Sequence, residues 1–540
     1  MDAWLILAER KASFLSPRGV RQARSASPPA GSSPCSASRA HRPEPARIRR
    51  SDRGEPARSR PPRAGASPDP PISRSGDSTE EEPVKPQKTL AVIAAIALLA
   101  AGCGRSGSGG EETPPDAGQA VTGDFGDLKG ICKPGSAKGS PAQGVTDKEI
   151  KLGVFSDVGF TKQSEFIDAA KAFTSWCNAA GGINGRKLVA NTRDSKLMEV
   201  RQRMLESCRE DFAVVGGGSA LDALGVKDRL TCLMPAFPAQ TSQVGNLGSD
   251  LQIETVAGGP SYSPYAGYFN WLLKEAYPGS AKNVGIIYGD SPVAKVIEAH
   301  TRQGIQGSGG TISYSEAYSP QGVPDWTPYA QAIKSRGVKG LIFLGSFADL
   351  AKLEQVLTNI NYKLDWIDTN SNAYGPAFLK LAGPAALAAQ NNLADIGGVY
   401  PLENAAQNPA TKQATELFAK YAPGKPVTLQ MIRGFVAWTL FAKAASSCGD
   451  NLTRKCVFEA GMKETAWTGG GLQAPVDLSK PDAPAQCFNV EKATPQGWKP
   501  ADFKPNQGAY RCNAPAIKFS NPMGKPVTLA DVGKSMNDVK

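Results

Sequence analysis

From residue 144 onward, short apolar runs alternate with amphipathic stretches, and the alternation predicts the architecture. Residues 150–155 (I-K-L-G-V-F) read as a strand, followed by a helix over 164–180, where Phe166, Ala170, Phe173 and Trp176 recur at helical spacing. Gly181 and Gly182 stop that helix. A strand starts at 188–191, a helix covers 197–209, and strands follow at 212–216 (F-A-V-V-G) and 233–237. The alternation then restarts. Helices are expected at 263–276, 292–306, 328–336 and 348–359, and strands at 283–288 (N-V-G-I-I-Y), 311–317, 340–345 (G-L-I-F-L-G) and 364–368. A further helix over 429–446 mixes large and small apolar residues, and the region around 487–512 reads as short antiparallel strands with turns. Strands alternating with helices imply right-handed βαβ units around parallel sheets. Two such runs over roughly 400 ordered residues imply two lobes.

The apolar run at 90–103 (L-A-V-I-A-A-I-A-L-L-A-A-G-C) breaks this pattern. Lys85 and Lys88 precede it, and Ala100, Ala101 and Gly102 close it before a cysteine. It is too short for a comfortable membrane span of ~20 residues and ends in small residues, as a cleavage site does. It resembles a bacterial lipoprotein signal, with Ala100 where that signal usually has Leu. The resemblance implies that Cys103 becomes a lipid-bearing N-terminus tethered to the outer face of the cell membrane. Residues 1–83, crowded with Arg, Pro, Ser and Ala, offer little to bury. A signal this far into a chain is anomalous, so the expected start is Val84, with 1–83 a non-native leader, 84–102 the signal peptide and 103–143 a tether rich in Gly, Ser, Glu and Pro.

Removing the leader changes the charge. Of 61 Lys+Arg and 50 Asp+Glu, 17 and 10 precede Cys103, which leaves 44 and 40 and a net of +4. No basic stripe with interleaved aromatics remains, so no nucleic-acid partner is expected. Setting aside Cys35 and Cys103, eight cysteines remain: Cys132, Cys177, Cys208, Cys232, Cys448, Cys456, Cys487 and Cys512. An even number in an exported chain reads as disulfides, whose pairing the sequence alone leaves open. Proximity favours Cys448–Cys456 and Cys487–Cys512. No C-x-x-C pair occurs and His300 is the sole histidine after the leader, so neither a zinc site nor another metal or cofactor is expected.

Residues 178–188 (N-A-A-G-G-I-N-G-R-K-L) resemble a signature of type I periplasmic-type solute-binding proteins, in particular the branched-chain amino acid receptor group of ABC transporters. Residues 144–154 (G-V-T-D-K-E-I-K-L-G-V), 283–291 (N-V-G-I-I-Y-G-D-S) and 337–346 extend the resemblance, which spans about 144–445. The glycines and Asn184-Gly185 suit a left-handed helix exit and a tight turn, a structural role. The resemblance implies two Rossmann-like α/β lobes with parallel sheets, joined by three crossing segments, near 253–261, 399–403 and 472–481. The lobes would take 144–258 with 399–475, and 259–398, with the disulfide-bearing segment 476–540 attached to the second. The expected sheet edge adds the pairs Cys132–Cys177 and Cys208–Cys232.

Ligand is then expected at the C-terminal ends of the strands. The implied cleft residues are Asp157, Phe160, Gly218, Ser219, Ala236 and Phe237 in the first lobe, with Ser291, Ser346, Phe347 and Asn370 in the second. Backbone N–H groups at 217–219 would suit an anion or carboxylate. Amino acid-binding members carry hydroxyl residues where this chain has Phe237-Pro238, and an acid for the ligand ammonium where it has Thr369-Asn370. A neutral, apolar or amide-bearing small molecule contacted by Phe160, Phe237 and Phe347 therefore fits at least as well as a zwitterion. Enzymatic readings fare badly. G-G-G-S-A at 216–220 lacks the closing glycine of a nucleophile elbow, a Ser/His/Asp triad has one possible base, and no phosphate-binding G-x-x-x-x-G-K-[ST] loop exists. The expectation is a monomeric, lipid-anchored, extracytoplasmic receptor that hands a small molecule to an ABC permease. The alternatives are a sensing or scaffolding receptor on the same fold and, behind it, an enzyme.

Overall fold

A computed structural model describes residues 121–319 and 321–540, and the leader, the signal run, Cys103 and the tether up to residue 120 lie outside them. The first sheet forms around β1 (Glu149–Ser156), whose inner residues Leu152 and Val154 are buried. Its partners are β2 (Lys187–Asp194), β3 (Ala213–Val215) and β4 (Ala236–Phe237), in the order β2-β1-β3-β4, all parallel. Between them run α1 (Glu165–Ala179), α2 (Val200–Glu210) and α3 (Val226–Thr231). Helix α1 buries Phe166, Phe173 and Trp176 on one face. It exits through Gly181 and Gly182 at φ of 107° and 76°, and a Cβ on Gly182 would lie 2.2 Å from the Arg186 carbonyl oxygen. Asn178 then ties helix to strand, donating to Leu188 O and accepting from Leu188 N.

The second sheet has seven strands: β5 (Val284–Gly289), β6 (Ile312–Tyr318), β7 (Gly340–Leu344), β8 (Trp366–Asp368), β9 (Asn392–Asp395), β11 (Val490–Thr494) and β12 (Gly497–Pro500), in the order β12-β11-β9-β8-β7-β5-β6. Around it lie α4 (Ala266–Trp271), α5 (Pro292–Gly307), α6 (Thr327–Ser335), α7 (Phe347–Asn359) and α8 (Pro376–Ala389). The sheet is parallel as expected except at one edge. β11 and β12 come from the C-terminal segment and pair antiparallel, because a chain returning from the other lobe enters from the opposite end. A small ladder, β10 (Cys487–Phe488) with β13 (Arg511–Cys512), is closed by Cys487–Cys512. Cys132–Cys177, Cys208–Cys232 and Cys448–Cys456 are also bonded.

After β9 the chain returns to the first lobe as α9 (Pro409–Tyr421), α10 (Leu429–Cys448) and α11 (Arg454–Gly461). Helix α10 is buried along nearly its whole length, and its Phe435 packs among Phe125, Phe173 and Phe418 at centroid distances of 4.9–5.6 Å. Among the described residues no helix is long and apolar enough to cross a membrane.

The crossing segments are knitted together. Val399 pairs with Gln473, and the Gln473 amide donates 2.7 Å to Thr255 O, so one side chain ties the third crossing to the first. Asn489 donates to Val399 O and accepts from Gly398 N. The C-terminal residues correct an expectation, that 476–540 stays with the second lobe. Phe519 N donates to Ser261 O, but further on Val527 bonds with Gly245 and Asp250, and Leu529 and Val539 bury themselves among Val226, Leu230 and Leu251. The apolar face offered by α3 draws the tail across to the first lobe.

Truncating Phe435 removes the shared partner of that aromatic cluster. Phe435→Ala should cost about 3–5 kcal/mol, read as a lower urea midpoint at unchanged slope.

Candidate functional site

The loops at the strand ends face one another across the lobes, but the side chains exposed there are mostly not those the sequence suggested. Asp157 is fully buried, and its carboxylate accepts from Ser195 Oγ at 2.5 Å, Leu197 N at 2.7 Å, Ser219 Oγ at 3.1 Å and Ala220 N at 2.9 Å. It locks the loops after β1, β2 and β3 to one another, with its hydrogen-bonding capacity spent. Ser219 belongs to the same network through Ser195 Oγ, 2.5 Å away. Of the expected N–H cradle at 217–219, Gly218 N is already engaged with Phe155 O. Gly216, at φ 66°, is there for packing: a Cβ would lie 2.2 Å from Trp438 Nε1 on α10.

Ala236 and Phe237 are strand residues rather than loop residues. Leu233 at φ 56° delays β4, so the loop begins at Pro238. Phe237 points into the core, 5.6 Å from the Phe441 ring. Gly218, Ser219 and Ala236 border only a void of about 40 Å³ within the first lobe. Phe160 packs half-buried on the first-lobe core. In the second lobe, Ser291 caps α5 by accepting from Ala294 N, and Ser346 caps α7 by accepting from Ala348 N. Asn370 accepts from Asn372 N and donates to Phe343 O. Of the ten expected contacts, Phe347 lines one of the large cavities between the lobes.

Three such cavities adjoin. The first, of about 240 Å³, is lined by Phe166, Gln240, Phe347, Asn372, Tyr374 and Gln430. Gln430 on α10 donates 2.6 Å to Asn372 Oδ1 and so bridges the lobes directly. The second, of about 180 Å³, shares Gln240 and adds Thr241, Glu254, Tyr265, Ser371 and Arg433. The third, also about 180 Å³, shares Thr241, Leu247 and Tyr265 with the second and continues along Val244, Val296, Ile297 and Phe519.

Arg433 is the unusual group. Its Nε is buried with no hydrogen-bond partner among the described residues. A Cβ on Gly397 would lie 3.0 Å from its terminal nitrogen, which places the guanidinium against the second crossing. Burial lowers its pKa, with the Tyr265 hydroxyl and the Asp395 carboxyl opposing. Asp395 cannot serve as a full counter-charge, because burial pushes its own carboxyl up to about 7. Glu254 is occupied differently. Its Oε1 accepts from Thr241 Oγ1 and Gln252 Nε2, and burial raises its pKa.

Sequence reasoning missed Gln240, Ser371 and Arg433. For Arg433 a signal existed, as it is the lone charge in the apolar stretch 429–442. Among the described residues no group of His, Cys, Asp and Glu is arranged to hold a metal ion. His300 is engaged with Pro522 O and stacks on Phe519 at 4.2 Å.

A family model described as periplasmic binding protein matches residues 149–494. No curated protein matches the chain. The fold aligns with that of a fatty acid ABC transporter substrate-binding protein from Thermomonospora curvata at TM-score 0.55 and 20% identity, over 73% of this chain and 99% of the other. An ABC transporter substrate-binding protein from Sphaerobacter thermophilus aligns at TM-score 0.54 and 14% identity, over 68% and 99%. The branched-chain amino acid transporter substrate binding protein LivJ from Streptococcus pneumoniae, solved with isoleucine, aligns at TM-score 0.53 and 17% identity, over 65% and 98%. At these identities the likeness is one of fold.

Asp368 and Asp395, at the ends of β8 and β9, are both pushed up to about 7 by burial. In the unfolded chain these carboxyls titrate near ~4. The folded state therefore holds their protons longer, and the stability they contribute below pH ~4 is lost as pH rises through about 7. Asp368→Asn should remove roughly 2–4 kcal/mol of that loss. The check is the difference between wild-type and variant denaturation curves from pH 4 to 8.

Proposed function

Because the chain belongs to the periplasmic binding protein family, we propose that it is the extracytoplasmic, lipid-anchored substrate-binding component of an ABC importer. The observation that carries this reading is the run of cavities between the lobes, bounded by strand-end loops from both sheets and by the first turns of α10. A ligand there touches Gln240 and Thr241 on one lobe and Ser371 and Asn372 on the other. Contacts made to both halves at once exist only in the closed form, so ligand shifts the population toward closure. The closed pair of lobes then presents one continuous surface to a permease.

The names of the fold relatives support a small organic passenger, since one is described as a fatty acid transporter component and another was solved with isoleucine. The second lobe is expected over 259–398, and the first over 144–258 and 399–475. The apolar run closed by small residues before Cys103 supports anchoring, with lipid on that cysteine.

A thermal-shift screen of the full chain against amino acids, their amides and straight-chain fatty acids tests binding. At least one compound should raise the melting temperature in a concentration-dependent way, worth about 2.7 kcal/mol at 100 times Kd. Gln240→Trp, which fills the junction between two cavities, should abolish the shift. A panel with no shift, or a shift untouched by that substitution, would overturn the reading. For the anchor, Cys103→Ser should move the protein from the membrane to the soluble fraction and remove the acyl mass seen in intact mass spectra.

A further inference from the structure

Resting on the solute-binding reading above, we propose that the passenger is an amphipathic monocarboxylate, its carboxylate on Arg433 and its apolar body in the adjoining cavity lined by Leu247, Val296, Ile297 and Phe519. Three observations converge on it. Arg433 lines the central cavity with a buried Nε that has no partner among the described residues. A guanidinium is always charged and offers a planar fork of donors that matches a carboxylate. A desolvated cation without a counter-charge costs several kcal/mol, and an anionic ligand removes that cost. The neighbouring Asp395 removes it only in part, since burial pushes its own carboxyl up to about 7.

The second observation concerns the other sign. Glu254 is the acidic side chain in this pair of cavities, and its Oε1 already accepts from Thr241 and Gln252. An ammonium would meet there a carboxyl that burial biases toward its neutral form and that already accepts from two neighbours on one oxygen, which disfavours a zwitterion. The third is the shape of the space. From Thr241 and Tyr265, at the edge of the Arg433 cavity, the next cavity runs between the loop after β4 and helix α5, walled by Val244, Leu247, Val296 and Ile297. Phe519, stacked on His300, walls this cavity from the C-terminal tail. An alkyl or aryl body fills such a space at a gain of ~0.8 kcal/mol per buried methylene. The expectation of a neutral ligand held by Phe160, Phe237 and Phe347 gives way to one negative charge and one apolar tail.

Isothermal titration of the full chain with decanoate, decan-1-ol, decylamine and leucine, each below its micellar concentration where one exists, tests the class. Decanoate should bind at least tenfold more tightly than decan-1-ol, and decylamine should not bind. Arg433→Gln should weaken decanoate at least tenfold while changing decan-1-ol less than threefold. Val296→Trp should weaken decanoate more than butanoate. Should Arg433→Gln fail to fold, the ranking of the four probes on the unaltered chain decides alone. Equal binding of decanoate and decan-1-ol, or leucine binding in place of decanoate, would overturn the ligand class and leave the receptor reading standing. If no compound in the wider screen binds, both fall.

Discussion

Helix α10 is enclosed by protein along nearly its entire length, and the site follows from that enclosure. A helix buried all round has no solvent-facing stripe on which to place a charge. Its one cation before Lys443 therefore has a single tolerable direction, toward the space between the lobes. The small residue beside Arg433 makes this possible. Gly434 brings the helix so close to the loop after β3 that an added Cβ would sit 3.3 Å from Gly216 O and 3.0 Å from Ala169 Cβ. Gly216 in turn leaves room for Trp438. The glycine pair sets the depth of α10, and that depth sets Arg433 at the cleft floor.

Much of the framework was legible because it is governed by local rules. The helix stop at Gly181-Gly182, the strand cores of β5 and β7, and the apolar character of α10 depend on periodicity and on φ, which a sequence displays directly. Cys448–Cys456 and Cys487–Cys512 followed from proximity along the chain. The antiparallel β11 and β12 were not legible as part of the second sheet, because their pairing with β9 joins residues nearly a hundred positions apart. Helices α8, α9 and α11 went unassigned; in α8 the Gly383-Pro384 pair interrupts the helical pattern.

The candidate site was far less legible, for a physical reason. Position at a strand end says that a residue is near the cleft, but not whether its hydrogen-bonding capacity is free. Asp157 and Ser219 look like ligand contacts until their four donors and shared hydroxyl network are counted. Ser291 and Ser346 are spent on helix caps for the same reason. Phe237 ends its strand where the sequence expected, but its ring packs against Phe441 in the core rather than on the cleft. What remains free, Gln240, Ser371 and Arg433, lies where local patterns carry little information.

Closure can be weighed in the same terms. Moving a two-state equilibrium from mostly open to mostly closed takes about 5.5 kcal/mol of differential binding. A buried cation that gains its counter-charge on closure supplies an effect of that order, since breaking such a pair costs about 3–5 kcal/mol. The hinge must then be soft enough to let this energy act. Gln473 and Asn489 tie the three crossings into one ribbon, which favours rotation about that ribbon over independent sliding of the lobes. The C-terminal tail adds a further restraint, fastened to Gln303 on α5 through Asn521 O on one side and to Gly245 and Asp250 on the other. A chain held at both ends limits how far the lobes can part. On the reading proposed above, an anionic ligand works against a small angular change, and a single ion pair can govern it.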